Sequence, residues 1–409
     1  MTESALPQVR LKIERRSSHP WIFQKMVEKP VARIPPGSVV DVLDRAGVWV
    51  GRGFYNGHSR IALRLLTIDP AEAIDRAFFE RQLSQALVLR RDLLKLDAVS
   101  DAYRLVHSEG DGLSGLVVDR FAGVLVLEFF AAGMYRFRET IQEILAGHFP
   151  GTKFYHFIEE HVQKQESIDC RPPEPPPPEV ITEHGVRFRV APGSKHKTGF
   201  FVDQRDNRQF LASFCAGKRV LDLCCNSGGF SVYARVRGAE EVTGVDLDEQ
   251  ALGLARQNAG LNQVRIRFVQ SDLFPWLRDM IAQNQRWDVV VLDPAKQTRD
   301  REEVELALRR YTDMNRLALQ AVAHGGIYLT CSCTGLINEY DFLESIRRAA
   351  WQAGRDVQIL RISGAGGDHP HFSHVQEGRY LKAVFARVFD RFGGPPPRPA
   401  PRDFGEFER

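Results

Sequence analysis

No uninterrupted apolar segment in this sequence is long enough to cross a bilayer. The most apolar stretch, GLVVDRFAGVLVLEFF, is cut by Asp119 and Arg120, and no apolar core follows the first basic residues. The expectation is a cytoplasmic protein without a membrane partner. Cysteine is scarce: six in 409 residues, two of them in LTCSC at the end of an apolar run, which does not read as a disulfide framework. Paired C-x-x-C knuckles are missing as well, so no metal is expected. Net charge is small, 55 basic against 52 acidic residues, and by itself says little about partners. Its distribution says more, because residues 1 to 70 hold eleven Lys or Arg against six Asp or Glu.

The length implies two or three cores. From Val9 to about Thr67, short β-rich runs (VVDVL, VWVGRGF, IALRLL) alternate with PPG and YNG, which predicts a small, strongly bent β-barrel over 8–72. Residues 73–178 predict an α+β module. Its helices fall in AIDRAFFERQLSQALVLRRDLL and near MYRFRETIQEILAGHF, and its strands in YRLVHSE, GLSGLVVDR, GVLVLEFF and KFYHFIEE. The segment RPPEPPPP, residues 171–178, predicts an exposed, stiff insertion near a domain border. After the hairpin VITEHGVRFRVA, strands alternate with helices, the signature of a parallel α/β sheet in a Rossmann-like domain over 179–390. Residues 391–409, rich in proline and without periodicity, predict a disordered tail.

In open α/β sheets, ligands bind beyond the carboxyl ends of the strands. Here those ends are acidic: Asp222 in RVLDL, Asp246 after EVTGV, Asp272 after IRFVQS and Asp293 after WDVVVL. A dinucleotide would need G-x-G-x-x-G for its pyrophosphate, and that pattern is absent. A donor carrying sulfonium and ammonium groups suits an acidic rim instead, which points to S-adenosylmethionine. Gly228 and Gly229 admit close backbone approach, Asp246 suits a ribose diol and Asp272 the adenine amino group. Asn226, Leu247 and Leu273 belong to the same expected donor site. Any one such Asp equally serves as a helix N-cap and any one Gly pair as a turn. Four strand ends in this order argue for a site.

The next strand, GGIYLTCSCT, brings Cys331 and Cys333 to the same cleft as Asp293. C5 of a pyrimidine is not nucleophilic, and a thiolate adding to C6 makes it so, while a carboxyl group at N3 supports the charge. Lys296 or nearby arginines would favour the thiolate. Residues 331 and 333 share a strand face, so periodicity does not choose between them, and either also fits a small core residue.

These residues resemble the bacterial large-subunit ribosomal RNA cytosine-C5 methyltransferases with an N-terminal PUA domain. The resemblance runs through RRSSHPWIF, GRGFYNGHSRIALRLL, EGDGLSGLVVDRF, GFFVDQRDNR, LDLCCNSGGFS, VDLDEQALGLARQN, LDPAK, RRYTDMNRLALQ, SCTG, AGRDVQ, DHP and EGRYLKAV. It implies a PUA barrel, a joining module and a class I methyltransferase domain whose sheet ends in a reversed hairpin. It also implies that Cys333, within Ser332-Cys333-Thr334-Gly335, is the nucleophile, that Phe201, Gln204, Arg205 and Asn207 close over the donor, and that a homodimer is compatible with the chain. Two features depart from the family: Ala295 stands where it has a second proline in Asp-Pro-Pro-Lys, and neither proline-rich segment has a counterpart.

Large-subunit ribosomal RNA is the expected partner, engaged by Lys12, Arg15, Arg16, His19 and Trp21, with Lys296 nearer the chemistry and Arg52, Arg60 and Arg64 extending the basic surface. Two rivals remain. A guanine N-methyltransferase of the same fold would carry an aromatic residue beside Pro294, and none is there. Against a non-catalytic, donor-binding RNA-binding or ribosome-assembly factor stand the intact donor residues, while Ala295 keeps that reading open.

Overall fold

The computed structural model describes residues 6–171, 173–193 and 198–391, so the tail expected to be disordered lies outside the described residues from 392 onward. The chain divides into two compact units, Met1–Arg205 with Gly366–Gly378, and Asp206–Ala365 with Arg379–Arg409.

The first unit opens with β1 (Gln8–Arg10), β2 (Trp21–Phe23), β3 (Ser38–Leu43), β4 (Trp49–Tyr55) and β5 (Ile61–Thr67). They form one curled half-barrel sheet in the order β1-β3-β4-β5-β2. Alternation in SVVDVL puts Val40 and Val42 in its core, while Asp41 pairs with Arg52 across the β3–β4 ladder. Helix α1 (Arg76–Leu87) follows, its first turn capped by the Asp75 carboxylate, which accepts from the Phe78 amide. It covers a four-stranded sheet of β6 (Ala102–His107), β7 (Leu116–Phe121), β8 (Val124–Phe129) and β9 (Lys153–Phe157) in that order. The helix expected between β8 and β9 is two helices, α2 (Ala132–Arg136) and α3 (Arg138–His148). Gly133 explains the close seat of α2: a Cβ there would lie 2.0 Å from the Phe54 ring.

Helix α4 (Glu160–Glu166), not evident in the sequence pattern, precedes the proline run, whose described residues are mostly exposed and irregular. The hairpin β10 (Glu179–Glu183) and β11 (Val186–Val190) comes next. The Ser100 hydroxyl donates to the Thr182 carbonyl at 3.0 Å, and a bridge joins Ser100 to Glu183, so this hairpin belongs to the first unit. The division therefore falls at Arg205, later than the border expected after residue 178. A second reason is the return of residues 366–378. Asp368, fully buried, accepts both Arg205 guanidinium nitrogens at 3.1 Å and the Arg104 amide at 3.0 Å. Burial opposes its charge, but His369 and Arg205 hold the carboxyl well below the usual range.

In the second unit, α5 (Arg205–Ala212) leads into an alternation of β12 (Arg219–Leu223), α6 (Gly229–Val236), β13 (Glu241–Asp246), α7 (Glu249–Leu261), β14 (Arg267–Gln270), α8 (Leu273–Ala282) and β15 (Trp287–Leu292). It continues with α9 (Val304–Ala321), β16 (Val322–Ser332), α10 (Glu339–Ala353), β17 (Arg355–Ser363) and β18 (Lys382–Asp390). The sheet order is β14-β13-β12-β15-β16-β18-β17, with the first five strands parallel and β18 inserted antiparallel between β16 and β17. That insertion is the reversed hairpin the resemblance implied. The sheet is apolar on both faces: Leu221, Leu223, Val290, Leu292 and Tyr328 face one core, and Val220, Val289, Val291, Leu329 and Cys331 the other. Among the described residues no helix is long and apolar enough to cross a membrane.

Candidate functional site

The chain's course reverses at β12, whose neighbours are β13 on one side and β15 on the other. Such a switch point opens a crevice at the carboxyl ends of the two central strands. The turn leaving β12 is tightly wound: Cys224, Asn226 and Gly228 all have positive φ, at 59°, 46° and 78°. A side chain at Gly228 would be strained by that backbone and would press within 3.1 Å of Ala255, so glycine is required where α6 begins.

Asp222 stands at the base of this crevice, 1% exposed. One carboxylate oxygen, Oδ2, accepts from the Ser231 amide at 2.9 Å and its hydroxyl at 2.6 Å. The other, Oδ1, is buried without a hydrogen-bond partner. Burial pushes the carboxyl up to about 7, Ser231 works against that, and the nearby charges of Asp293 and Asp246 add to it. Asp246 closes β13 with its Oδ2 accepting from the Asn226 amide at 2.8 Å and Oδ1 from the Asp248 amide at 2.9 Å. Both bonds set its direction, and each oxygen keeps a lone pair for a hydroxyl. Leu247 beside it is 67% exposed, an apolar surface at the crevice rim. Leu273 is half-buried against the core under α8.

Asp272 lies two residues beyond β14 and is the N-cap of α8, its Oδ1 accepting from the Phe274 amide at 2.7 Å. Cap and donor contact are separable. Asp272→Asn keeps a good cap, so thermal stability is expected to stay within about 0.5 kcal/mol, while affinity for the methyl donor falls about three- to tenfold. Asp272→Ala loses about 1 kcal/mol of stability as well. Calorimetric titration of both variants checks this, and unchanged affinity in the asparagine variant would leave Asp272 a cap alone. All four carboxylates converge on Cys224: burial, then Asp246, Asp293, Asp222 and Asp272, drive its thiol upward. An orphaned buried carboxylate oxygen, an acidic rim and a turn ending in two glycines fit a cationic donor with an adenosine moiety.

The two cysteines singled out in the sequence lie one strand further. Parallel pairing sets Leu292 against Thr330, so the chain leaves β15 at Asp293 next to where β16 ends. Strand β16 stops at Ser332; Cys331 is fully buried in the core with Leu329, whereas Cys333, just beyond the strand, is only partly buried. Both pack against the same core cluster, Cys331 fully buried within it and Cys333 only partly buried, because it stands just past the end of the strand. The loops after β15 and β16 are pinned together. The Gln297 amide donates to the Thr334 hydroxyl at 3.1 Å, and that hydroxyl also bonds the Tyr311 hydroxyl at 3.0 Å. Ala295 and Lys296 are exposed on this loop. Lys382 was not singled out in the sequence: it is 3% exposed at the start of β18, opposite Ser332. A lysine opening an apolar strand reads as an outer-face residue, and only the insertion of β18 beside β16 buries it.

The remaining expected residues separate. Phe201, Gln204 and Arg205 fall in the first unit and Asn207 in the second. Arg205 holds Asp368; Asn207 donates to the Gly364 carbonyl at 3.1 Å and accepts from the Ser363 hydroxyl at 2.7 Å. In the half-barrel unit Lys12, Arg16 and Arg60 are exposed, while Arg15 folds back on the carbonyls of Ser17 and His19 at 2.8 Å. His19 pairs with Glu377 at 3.0 Å, and the Trp21 indole donates to Glu109 at 2.7 Å. Arg64 does not extend the basic surface as expected. It is buried, bonded to Glu109 and Ser114, because β5 turns this residue toward the neighbouring sheet rather than toward solvent. Arg52 is likewise occupied by Asp41.

Residues 103–387 match the family model of S-adenosylmethionine-dependent methyltransferases, and residues 13–68 that of PUA-like domains. Fold, crevice and family together define an S-adenosylmethionine-dependent methyltransferase with an N-terminal PUA-like domain. The ribosomal RNA large subunit methyltransferase I of Aeromonas hydrophila is 40% identical over 379 residues, 90% of this chain and 95% of that protein. Its namesake in Klebsiella pneumoniae is 39% identical over 400 residues, 95% of this chain and all of the relative. The chain belongs to the ribosomal RNA large subunit methyltransferase I family. Among solved structures, a methyltransferase complexed with SAH superposes over 94% of this chain with a TM-score of 0.78 at 19% identity. An S-adenosylmethionine-dependent methyltransferase from Streptococcus mutans does so at 0.75 and 18%. At those identities the likeness is one of fold.

Proposed function

We propose that this enzyme methylates C5 of a cytosine in large-subunit ribosomal RNA, with Cys333 as nucleophile and Asp293 as the carboxyl group facing the ring. The observation that carries the reading is the half-buried thiol of Cys333 at the end of β16, beside the strand end of Asp293, with Cys331 committed to the core. The names of its relatives support the RNA class.

When bound, S-adenosylmethionine supplies an electrophilic methyl group, held by Asp222, Asn226, Gly228, Gly229, Asp246, Leu247, Asp272, Leu273 and Asp293. The Cys333 thiolate adds to C6, forming an S–C6 bond and moving electron density to C5, while Asp293 in its acid form donates to N3 and supports the negative charge developing there. After C5 gains its methyl, loss of the C5 proton to a base expels the thiolate and restores the aromatic ring. The exposed cations Lys12 and Arg16 on the PUA-like domain, and Lys296 on the loop after β15, contact phosphates of the RNA.

Incubation with unmodified ribosomal RNA and labelled donor, followed by mass spectrometry of the nucleosides, is expected to yield 5-methylcytidine. A methylguanosine would sink the cysteine mechanism, and no product at all would favour a binding factor.

A further inference from the structure

We infer that Lys382 is a positioning residue for the reaction, its buried ammonium group holding the Cys333 thiol in the ionised, nucleophilic form. The inference rests on reading Cys333 as the nucleophile. Register sets Lys382 opposite Ser332, the residue before Cys333, and its Nζ donates to the carbonyls of Thr334 at 2.8 Å and Tyr380 at 2.9 Å. Thr334 follows Cys333 directly, so the lysine grips the backbone that carries the thiol. Two carbonyl oxygens satisfy hydrogen bonds but not a charge, and an ammonium 3% exposed requires an anion nearby.

The charged and titratable groups facing it are few. Cys333 lies beyond β16 and Glu339 at the start of α10, and these favour its charge; Lys296 after β15 and Arg379 before β18 oppose it. Burial dominates and draws the ammonium down to about 8, still protonated in the main at neutral pH. Glu339 is shared, because its carboxylate pairs with Arg379. The thiolate is thus the anion best placed to compensate the lysine. The coupling is reciprocal: whatever Cys333 does to the lysine's proton affinity, Lys382 does to the thiol's with opposite sense. The Tyr311 hydroxyl stands near both the thiol and the Asp293 carboxyl group. Without a cation beside it, burial would favour the protonated thiol over the thiolate. In the ionisation step the S–H bond breaks and the proton passes to water, while Lys382 keeps its own.

The test is the pH dependence of Cys333 alkylation by iodoacetamide in the full-length protein, read at the Cys333 peptide by mass spectrometry, with Cys331 as buried reference. Lys382→Met removes the charge, Lys382→Gln keeps hydrogen-bond donors without it, and Lys382→Arg retains it. The expected result is a midpoint about one pH unit or more higher in the two uncharged variants than in wild type, with Lys382→Arg returning toward wild type. Unchanged midpoints in an uncharged variant that still binds donor normally would overturn the assignment. So would loss of donor binding in both uncharged variants with the fold retained by circular dichroism, since the lysine would then serve the donor site. Alkylation reads the thiol whether or not it is the nucleophile, whereas full turnover in Cys333→Ala would remove the nucleophile reading and leave the measured coupling standing.

Discussion

Cys333→Ala is expected to lower methyl transfer by at least about three orders of magnitude while leaving donor affinity within about twofold. The reason for the split is geometric. The residues proposed to hold the donor stand at the ends of β12 to β15, and the Cys333 thiol stands past β16. Cys331→Ala is the control. Its side chain is fully buried with Leu329 and Ala383 around it, so truncation is expected to cost about 1 kcal/mol of stability and little activity. Single-turnover rates and donor titrations on both variants check this. Equal loss of turnover in Cys331→Ala, with stability preserved, would mean that the wrong cysteine carries the reaction.

Donor affinity is expected to depend on pH through Asp222. Its carboxyl is raised from 3.8 to about 7, chiefly by burial, so the donor-free protein holds a proton there below neutrality. A cationic donor prefers the ionised form, and binding must then release that proton. Affinity is therefore expected to weaken by up to about tenfold per pH unit below the raised value and to level off above it. Stability of the donor-free protein follows the same titration. The folded state binds the proton more tightly than the unfolded one, so this contribution is complete below 3.8 and is lost as pH rises through about 7. Asp222→Asn is expected to abolish the pH dependence and weaken binding at pH 8 by about 1.5–3 kcal/mol. Calorimetric titrations at pH 6, 7 and 8 measure it; a flat profile in the wild type would show that the donor does not address this carboxyl.

The placement of the residues proposed for the donor site was legible because its signals are local. A strand that alternates apolar residues and ends in Asp, followed by small residues, announces both its period and its turn. Asp222, Asn226, Gly228 and Asp246 stand at such strand ends and turns. The capping alternative was legible too, and for Asp272 the structure realises it, with donor contact left as a separate question. For the proposed nucleophile, the sequence narrows the choice only to the pair of cysteines. Spacing puts residues 331 and 333 on one face whichever of them reacts.

Read alone, the sequence sets the class of each segment: a β-rich start, an α+β module, a parallel sheet with acidic strand ends and two candidate thiols. These follow from side-chain periodicity and backbone preference, which act over a few residues. The tertiary structure alone decided where β16 leaves the core, and hence which cysteine emerges. It also decided that residues 366–378 pack with the first unit through Asp368, that Arg64 is buried, and that Lys382 meets the backbone of Thr334. Each of these joins segments tens to hundreds of residues apart. Such pairings depend on which long-range register buries the most apolar surface and satisfies every buried charge together, and no short stretch of sequence carries that sum.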